Sequence, residues 1–479
     1  MVQQSISKEG LTFNELEKEI FRTVCQKGRE IIASMLESMD EEIRDERDKD
    51  VYENLGLRET HVETMMGRVS YKRRYYRFMD EDGIKKQIFL LDEKIDIFKE
   101  GNISAALKDA SLYQVIKNSY RTAANNIGEF TGIDLSHTSL WDMVQKTGEN
   151  LWEKQRAQAE LYDMGECIGT REVDVLFEES DGIHLRLQGQ DRKKHGKTKE
   201  LKLALTYEGW SKVGKDRYRL EGKKFCAGFN TADEFCKMKE GMIASEYDVG
   251  NIKLRLQNGD GAAWTHQKMD GRIISQLDPF HLKRNLRRAI SDKKSLETVE
   301  QLLENKDIPT ALEVVDILAD STEGEKQQKK LNELYSYMKR NREYLTPYLE
   351  RGLPLPNLGQ GLEYRGMGTI ENQNCNVVTM RMKGRKGSWS IDGGLHMALL
   401  LCAKASNDLD EFVSAQWDSM LPERYEKHAV VGMSAASALR PIGKGDDGGV
   451  RHGRMPYTGA AMTNGRKAIR NAIESDWRW

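Results

Sequence analysis

The chain has 479 residues and almost no net charge, because its 74 Lys and Arg nearly balance its 76 Asp and Glu. Hydrophobic residues make up 38% and charged residues 31%, which excludes a wholly disordered protein. This length predicts two to four structural units. A protein of this composition can bind nucleic acid only if its positive charge is concentrated in local patches.

Apolar segments and cysteines argue against the membrane and disulfide-rich classes of protein. The N-terminal stretch MVQQSISKEG lacks the apolar core of a signal peptide. The longest apolar run, LHMALLLCAKA from Leu395, is too short to cross a bilayer and predicts a buried helix. The six cysteines form no Cys-x-x-Cys pair, which argues against a zinc site or a disulfide framework. We therefore expect a cytoplasmic protein with reduced thiols and no membrane partner.

The first hundred residues predict a helix followed by a β-hairpin. Residues 12–50 repeat apolar side chains three and four positions apart, which is typical of a helix. From Thr60 to Phe89 the period changes, and Asp82-Gly83 predicts a hairpin turn. The first strand of this hairpin mixes aromatic and basic residues between Tyr71 and Arg77. Such a strand can follow a phosphate backbone, or it can be an ordinary solvated strand.

Residues 103–150 predict helices again, with a helix-turn-helix shape at about 113–148. Gly132 marks a break, and Ser136 can cap the second helix. That second helix would present three polar residues to a DNA groove, namely His137, Ser139 and Asp142. An ordinary helical hairpin has the same pattern.

The middle of the chain alternates between strand-like and helix-like patterns. Strand-like runs flank a turn predicted at Ser180-Asp181-Gly182, and a dense basic segment runs from Arg192 to Lys202. Further strands are predicted in KLALTYEGW, KFCAGF and IKLRLQNGDG. Nearly everything from Lys283 to Arg351 predicts helix, and another helix is predicted at TIENQNCNVVTMRMKGR. The Gly-rich end of the chain predicts a linker.

Three acids stand where a regular element begins or ends: Asp181, Asp260 and Glu371. A pair of magnesium ions roughly 3.5–4 Å apart can activate the attacking oxygen and stabilise the leaving oxygen of a phosphodiester. Carboxylates are the hard oxygen ligands that magnesium prefers. Each acid taken alone also has a structural explanation, since acids near helix N-termini favour the helix dipole. Small neighbours would let a duplex backbone come close to the acids, namely Gly182, Gly259, Gly261 and Ala262.

Two basic segments accompany these acids. Asp278-Pro279-Phe280-His281 predicts a helix start, and a basic face follows on that helix, formed by Lys283, Arg284, Arg287 and Arg288. The second segment, RMKGRKGSWS, contributes Arg385, Lys386 and Trp389 as candidate DNA contacts. A capped, solvated helix and a solvated loop explain the two segments equally simply. The GKGDDG stretch at 443–448 matches G-x-G-x-x-G, but no strand precedes it, so we expect no nucleotide cofactor.

Several motifs, in this order and spacing, resemble the ISLre-type bacterial insertion-sequence transposases. They are SYRTAANNIGEFTGIDLSHTSLWDMVQ, LFEESDGIHLRLQ, KLALTYEGW, NGDGAAW, QLDPFHLKRNL and GTIENQNCNVVTMRMKGRKGSWSIDGG. More distantly the chain looks like the Mutator-like DDE transposases. The resemblance implies an α/β fold, with an RNase H-like mixed-sheet core, helices on both of its faces and an all-helical insertion. It also implies a mainly helical N-terminal DNA-binding region.

The resemblance divides the chain into five regions. The expected regions are an N-terminal DNA-end-binding region at 1–160, the two parts of the core at 161–282 and 352–410, the helical insertion at 283–351, and a C-terminal helix and Gly-rich tail at 411–479.

The resemblance also assigns roles to the acids. It maps a DDE triad, which binds two Mg2+ or Mn2+ ions, onto Asp181, Asp260 and Glu371. It matches Asp278 and His281 to an Asp-x-x-His element that supports the site. The first acid is open among four neighbouring residues, namely Asp174, Glu178, Glu179 and Asp181.

The expected activity is cleavage of the element's ends followed by strand transfer into target DNA. The expected partners are double-stranded DNA and further copies of the chain on that DNA, so the protein would be associated with the nucleoid. A catalytically inactive, repressor-like DNA-binding derivative and an RNase H-like nuclease without joining activity are the alternatives.

Overall fold

The computed structural model describes residues 12–95 and 102–409. The predicted C-terminal helix and tail at 411–479, with the 443–448 stretch, lie outside this range. Of the described residues, 32–409 belong to one compact unit and 12–31 to another. Across the described ranges, no helix is long and apolar enough to cross a membrane.

The N-terminal region consists of a long helix and a small antiparallel sheet. Its elements are α1 (Phe13–Glu46), β1 (Glu53–Thr64), β2 (Gly67–Met79), β3 (Lys85–Ile88) and α2 (Leu90–Ile95). The predicted helix and the β2–β3 hairpin are confirmed. Strand β1, which pairs along most of β2, was not predicted, because most of its side chains are polar and half of its residues are exposed.

Three helices follow: α3 (Ala105–Lys117), α4 (Tyr120–Thr131) and α5 (His137–Met164). The predicted break is confirmed, since α4 ends at Gly132 with φ of 71°. The cap of α5 is confirmed as well, because Ser136 Oγ accepts from the backbone N–H of Ser139 at 2.9 Å. Apolar side chains of α5 lie in the same hydrophobic core as the central sheet, so this core does not divide at residue 160.

The central sheet has five strands in the order β10-β9-β4-β5-β8. They are β4 (Val175–Arg186), β5 (Thr198–Tyr207), β8 (Lys224–Gly228), β9 (Leu254–Gly259) and β10 (Ile273–Leu277). Strands β4, β5 and β8 are antiparallel neighbours, whereas β9 and β10 run parallel to β4. The sheet is therefore mixed.

The turn predicted at Ser180-Asp181-Gly182 is wrong, because β4 runs through all three residues without a break. A run of polar residues in the middle of a strand imitates a turn in sequence. Here the run is buried, and its members find partners on both faces of the sheet.

Helices cover both faces of this sheet. Helix α7 (Ala232–Glu246) packs on the face that carries Leu176, and it begins at a capping box formed by Thr231 and Glu234. Helix α14 (Ile391–Ala405) packs with α5 on the face that carries Phe177. The predicted buried helix at LHMALLLCAKA is confirmed as part of α14.

The remaining elements surround the central sheet. A separate three-stranded sheet contains β6 (Gly209–Lys212), β7 (Tyr218–Glu221) and β11 (Leu362–Glu363), and α6 (Gly189–His195) connects β4 to β5. The predicted helical stretch is confirmed as α8 (Pro279–Ala289), α9 (Lys293–Glu304), α10 (Ile308–Ser321) and α11 (Glu325–Arg340), which share a hydrophobic core of their own.

The helix predicted at TIENQNCNVVTMRMKGR is confirmed with one irregularity. It runs through α12 (Ile370–Gln373), a π-helical turn (Asn374–Thr379) and α13 (Met380–Met382). A π-helical turn shifts the side chains that follow it, and such turns are frequent at functional sites.

Candidate active site

Three aspartates lie in a row on neighbouring chain segments, one within β4 and the other two directly after β9 and β10. In the parallel ladders Ser180 pairs with Gly259, and Gly259 pairs with Leu277. The next residue on each chain segment is an aspartate, namely Asp181, Asp260 and Asp278. Because neighbouring strands lie about 4.8 Å apart, three residues in register bring their side chains together at one edge of the sheet.

Asp181 is the most deeply buried acid of the predicted triad. Its side chain accepts hydrogen bonds from the backbone N–H of Gly182 at 2.8 Å and from Asn374 Nδ2 at 2.6 Å. Burial raises the pKa of Asp181 to about 7, and the negative charges of Asp260 and Glu371 add to this effect. The carboxylates therefore concentrate negative charge in a place that a cation would stabilise.

Asp260 follows directly after β9, as predicted. Its Oδ1 accepts from the backbone N–H of Ala262 at 2.9 Å and from Thr265 Oγ1 at 3.2 Å. Within the described residues its Oδ2 has no hydrogen-bond partner, so this oxygen is available to another ligand. Tyr337 of α11 donates to the backbone oxygen of Asp260 at 2.9 Å, which ties the helical block to this turn.

The glycines beside Asp260 do not leave the space that was predicted for a duplex. A Cβ atom on Gly259 would meet Thr265 at 2.5 Å, and one on Gly261 would meet Tyr337 at 2.8 Å. Gly261 also has φ of 91°, a conformation that favours glycine. A Cβ on Gly182 would meet Glu200 at 2.1 Å. Protein side chains therefore occupy the space that these glycines provide.

Glu371 lies in the first turn of α12, as predicted, and its side chain is exposed. The structure brings it together with Asp181 and with His281, and the possible ligand atoms of the three residues all lie within 4.8 Å of one another. Asn374, which contacts Asp181, lies one helical turn after Glu371. The start of this helix therefore brings Glu371 into the site and places the hydrogen-bond donor Asn374 against the side chain of Asp181.

Glu179 positions this helix, and the sequence analysis missed that role. It is fully buried and accepts hydrogen bonds from the backbone N–H groups of three successive residues at the start of α12. Burial raises its pKa, while these donors oppose that shift. Glu179 lies two residues before Asp181, on the same face of the strand, and this spacing is the signal that could have identified it. Its six donor groups are Gly368 N, Thr369 N, Thr369 Oγ1, Ile370 N, Tyr207 OH and Asn258 Nδ2.

The other candidates for the first acid have different surroundings. Asp174 precedes β4 and pairs with Lys253 at 2.8 Å. Glu178 faces α7, where it forms ion pairs with Lys239 and Arg255. Of the four candidates, Asp181 is the one that shares a cluster with Glu371.

His281 directs a buried nitrogen into the site. Its Nε2 lies 3.9 Å from Asp181 Oδ1 and is buried with no hydrogen-bond partner in the described structure. Its Nδ1 lies 2.9 Å from Arg284 Nη2, and a guanidinium can only donate. Nδ1 must therefore be the acceptor, so a neutral ring carries its proton on Nε2 and presents a donor to the site. In this tautomer His281 is suited to contact an anion and cannot coordinate a metal through Nε2.

Asp278 has a structural role at the start of α8. Its side chain accepts from the backbone N–H of Phe280 at 2.7 Å, and Pro279 occupies the first turn. This cap fixes the direction in which α8 leaves the sheet and so places His281. The predicted DNA contacts on the basic face of α8 are exposed, and they are Lys283, Arg284, Arg287 and Arg288.

The second predicted group of DNA contacts is only partly available. Lys386 is exposed, and the side chain of Arg385 lies outside the described structure. Trp389 is half-buried, and its indole N–H donates to the backbone oxygen of Met382 at 2.9 Å. The ring therefore closes a loop of the protein instead of projecting into solvent.

The basic N-terminal strand also finds its partners within the protein. Arg73 pairs with Asp92 at 2.8 Å, and Arg74 pairs with Asp40 at 2.7 Å. These contacts favour a structural strand over one that follows a phosphate backbone. On α5, His137 is exposed, as the helix-turn-helix prediction requires.

The donor set of the site fits hard divalent cations. Asp181 and Glu371 supply carboxylate oxygens to the cluster, which suit Mg2+ or Mn2+, whereas Asp260 lies outside this 4.8 Å group, directly after the neighbouring strand. All six cysteines are free, and none of them lies in this cluster. The charge balance supports the same choice, because burial and then the neighbouring acids raise the pKa of Asp181.

Comparison with known proteins identifies relatives over most of the chain. UPF0236 protein TTE2489 of Caldanaerobacter subterraneus subsp. tengcongensis is 24% identical over 410 residues, which cover 84% of this chain and 81% of the relative. A second UPF0236 protein from the same organism is 24% identical over 417 residues, covering 86% of this chain and 82% of the relative. The sequence model of the uncharacterised protein family UPF0236 matches residues 6–417, and the chain therefore belongs to this family.

Proposed function

We propose that the protein is a DDE transposase that cuts the ends of an insertion sequence and joins them to target DNA. The observation that carries this proposal is the convergence of acids that are distant in sequence. Asp181 and Glu371 share one cluster, and Asp260 follows a strand in register with that of Asp181. A constellation of carboxylates at one edge of a sheet suits phosphodiester chemistry with divalent cations.

The architecture is compatible with the RNase H-like core that the sequence resemblance implies. The core is a mixed five-stranded sheet with helices on both faces. The block α8–α11 lies in sequence between the strand that precedes Asp278 and the helix that carries Glu371. That is the place of the proposed helical insertion.

The names of the relatives give independent support. One relative is named by eleven locus designations of a single genome, and another by four. One protein that is shared by many loci of a genome is what an element that copies itself leaves behind. We therefore favour a mobile-element enzyme over a nuclease that acts on nucleic acid in general.

Some residues of the site would bind cations or substrate, and others hold those residues in position. When two divalent cations are bound, they supply activation of the attacking oxygen and stabilisation of the leaving oxygen. Asp181, Asp260 and Glu371 would hold these ions. The Nε2–H of His281 is placed to donate to an anionic phosphate oxygen. Glu179 holds the helix that carries Glu371.

The basic face of α8 gives the substrate a direction of approach. It begins at His281 and continues along exposed cations for the length of the helix. Such a face suits a DNA backbone next to the scissile phosphate. Both ends of an element must be cut together, and we propose that the protein acts as an oligomer on DNA.

Two alternatives remain open to experiment. A repressor-like derivative would bind DNA without cutting it, and an RNase H-like nuclease would cut without joining. The uncompensated acids favour an active site over a purely binding surface, because clustered carboxylates repel a DNA backbone unless cations lie between them.

The test is a joining assay with a supercoiled target plasmid, DNA carrying the element's ends, and Mg2+. The wild-type protein is expected to give joined product, and Asp260→Asn is expected to lower the rate at least roughly 1000-fold, or about 4 kcal/mol in barrier. Asp216→Asn, an exposed acid in the β6–β7 turn, is the matched control and should leave the rate unchanged. End binding by Asp260→Asn should be retained.

The products separate the three functions. Nicks without joined product would favour the nuclease, and a gel shift without cleavage would favour the repressor-like derivative. Normal cleavage by Asp260→Asn would show that the site has been assigned to the wrong residues.

A further inference from the structure

A second positively charged surface lies beside the predicted site, on the connection between β4 and β5. The basic segment noted in the sequence forms α6 and the turns around it. Five exposed cations lie here, at the end of β4 and in this connection, namely Arg186, Arg192, Lys193, Lys194 and Lys197. The one acid in sequence between Arg186 and Lys197, Asp191, accepts from the backbone N–H of Ile391 at 2.8 Å and so serves to fix α14.

The fold brings a second basic loop to the same place. The backbone N–H of Trp389 donates to the oxygen of Arg186, and that of Gln188 donates to the oxygen of Trp389, both at 2.9 Å. Ser388 also donates to the side chain of Gln188 at 3.2 Å. The loop that ends at Trp389 contributes two further exposed cations, Lys383 and Lys386. We call these seven residues the hairpin patch.

The hairpin patch carries positive charge that nothing in the described structure neutralises. Its seven cations form no ion pairs with described residues, in contrast to the arginines of the N-terminal strand. A solvated surface usually mixes both signs of charge, whereas this one presents a single sign. Such a surface attracts a polyanion.

Its position relates the patch to the acids. Strands β9 and β10 end at the aspartate row, but β4 continues past Asp181 to Arg186. Five residues of strand span roughly 17 Å, which is the length of about five base pairs. The patch therefore lies on the same edge of the sheet as the carboxylates, at a distance that one duplex can bridge.

We infer that the hairpin patch binds the phosphate backbone of duplex DNA about half a helical turn from the scissile phosphate. The ladder between β4 and β5 and the contacts of Trp389 hold the patch in place relative to the acids. Phosphate contacts of this kind set register and orientation without reading sequence. The patch thus positions DNA in the site independently of any sequence-specific contact.

This inference takes its ligand from the proposed function, and salt dependence tests it without cleavage. Binding to a duplex of about 30 base pairs is measured by fluorescence anisotropy in EDTA, between about 50 and 200 mM salt. The triple variant Arg192→Gln, Lys194→Gln, Lys197→Gln should lower the slope of log Kd against log salt by roughly 2–3. The matched triple Lys212→Gln, Lys215→Gln, Arg217→Gln removes the same charge from the β6–β7 hairpin of the separate sheet, which follows the end of β5 away from the patch, and should leave the slope unchanged.

Three outcomes would overturn the inference: no change in slope from the first triple, an equal change from both triples, or loss of binding in the charge-keeping variant Lys194→Arg, Lys197→Arg. Thermal melting of each variant verifies its fold. If the protein joins DNA but the first triple variant leaves the slope of log Kd against log salt unchanged, this inference alone is overturned. A protein whose slope responds but which neither cuts nor joins DNA overturns the proposed function alone.

Discussion

The two faces of β4 shift the pKa values of neighbouring acids in opposite directions. On the face toward α7, burial opposes the ionisation of Glu178, but Arg255 and Lys239 outweigh it and lower its pKa. On the other face, burial and nearby acids raise the pKa of Asp181 to about 7. The two residues lie three positions apart on one strand, and both are buried.

The difference distinguishes Glu178, whose charge stabilises the fold, from Asp181, whose charge would be stabilised by a bound cation. Glu178 belongs to a closed network in which Arg255 also pairs with Glu240 at 2.7 Å and every charge has a partner of opposite sign. Asp181 belongs to a group of acids whose one basic member is the His281 ring, 3.9 Å away, and no Lys or Arg forms an ion pair with Asp181 among the described residues. Burial alone therefore does not identify a functional acid, whereas the balance of charge around it does.

The largest effect on stability is expected from Glu178→Gln. This substitution leaves Arg255 and Lys239 buried with fewer negative partners, and breaking such a pair costs about 3–5 kcal/mol. The free energy of unfolding, measured by urea denaturation at neutral pH, should fall by this amount with or without Mg2+. Glu59→Gln, on an exposed position of β1, should change it by less than about 0.5 kcal/mol. If Mg2+ restored the free energy of unfolding of Glu178→Gln, the proposed difference between the two faces of β4 would be wrong.

The next effect is a gain in stability from Asp181→Asn in EDTA. The pKa of Asp181 is about 7 in the folded protein against an ordinary 3.8, so the folded state holds the extra proton between these values. The free energy of unfolding therefore falls as the pH rises through this window. Above pH 7 the substitution should restore up to about 4 kcal/mol, and near pH 4 it should restore little.

Urea denaturation at several pH values measures this gain. Mg2+ should stabilise the wild-type protein above pH 7 and have little effect on Asp181→Asn. The exposed Asp134→Asn serves as control, and its pH dependence should follow that of the wild-type protein. If Asp181→Asn proves less stable than wild type at pH 8 in EDTA, the acid is not under electrostatic strain.

A smaller effect is expected from Glu179→Gln. This substitution tests whether Glu179 holds α12 against the face of β4 that carries Asp181. An amide cannot accept all six donors, and a buried donor without a partner costs about 2 kcal/mol. Because Glu371 then loses its fixed position, the affinity for Mn2+ measured by titration calorimetry should fall roughly tenfold. The exposed Glu153→Gln should change neither quantity. Unchanged Mn2+ affinity together with lower stability would reduce Glu179 to a purely structural role.

Local signals in the sequence predicted several parts of this structure. Asp278-Pro279 predicted the start of α8, and Gly132 with Ser136 predicted the break between α4 and α5. Each of these features depends on contacts within a few residues of the chain, so its pattern is visible in sequence.

Other features depend on partners that are distant in sequence. The stretch Ser180-Asp181-Gly182 looked like a turn, because Asn374, the partner of Asp181, lies 193 positions further along the chain. Strand β1 was missed because the hydrogen bonds to β2 decide its conformation. The glycines near Asp260 were explained by access for DNA, although distant side chains fill that space.

The sequence by itself determined where several helices begin, which residues are acidic, and that positive charge gathers in a few segments, since these properties are local. Only the tertiary structure decided which acid of β4 lies with Glu371. It also decided that Glu179 holds α12, the helix that carries Glu371, and that two basic loops form one surface. The physical reason is that charge balance and hydrogen bonding depend on distance in space. The pairing of β4 with β9 and the docking of α12 set that distance.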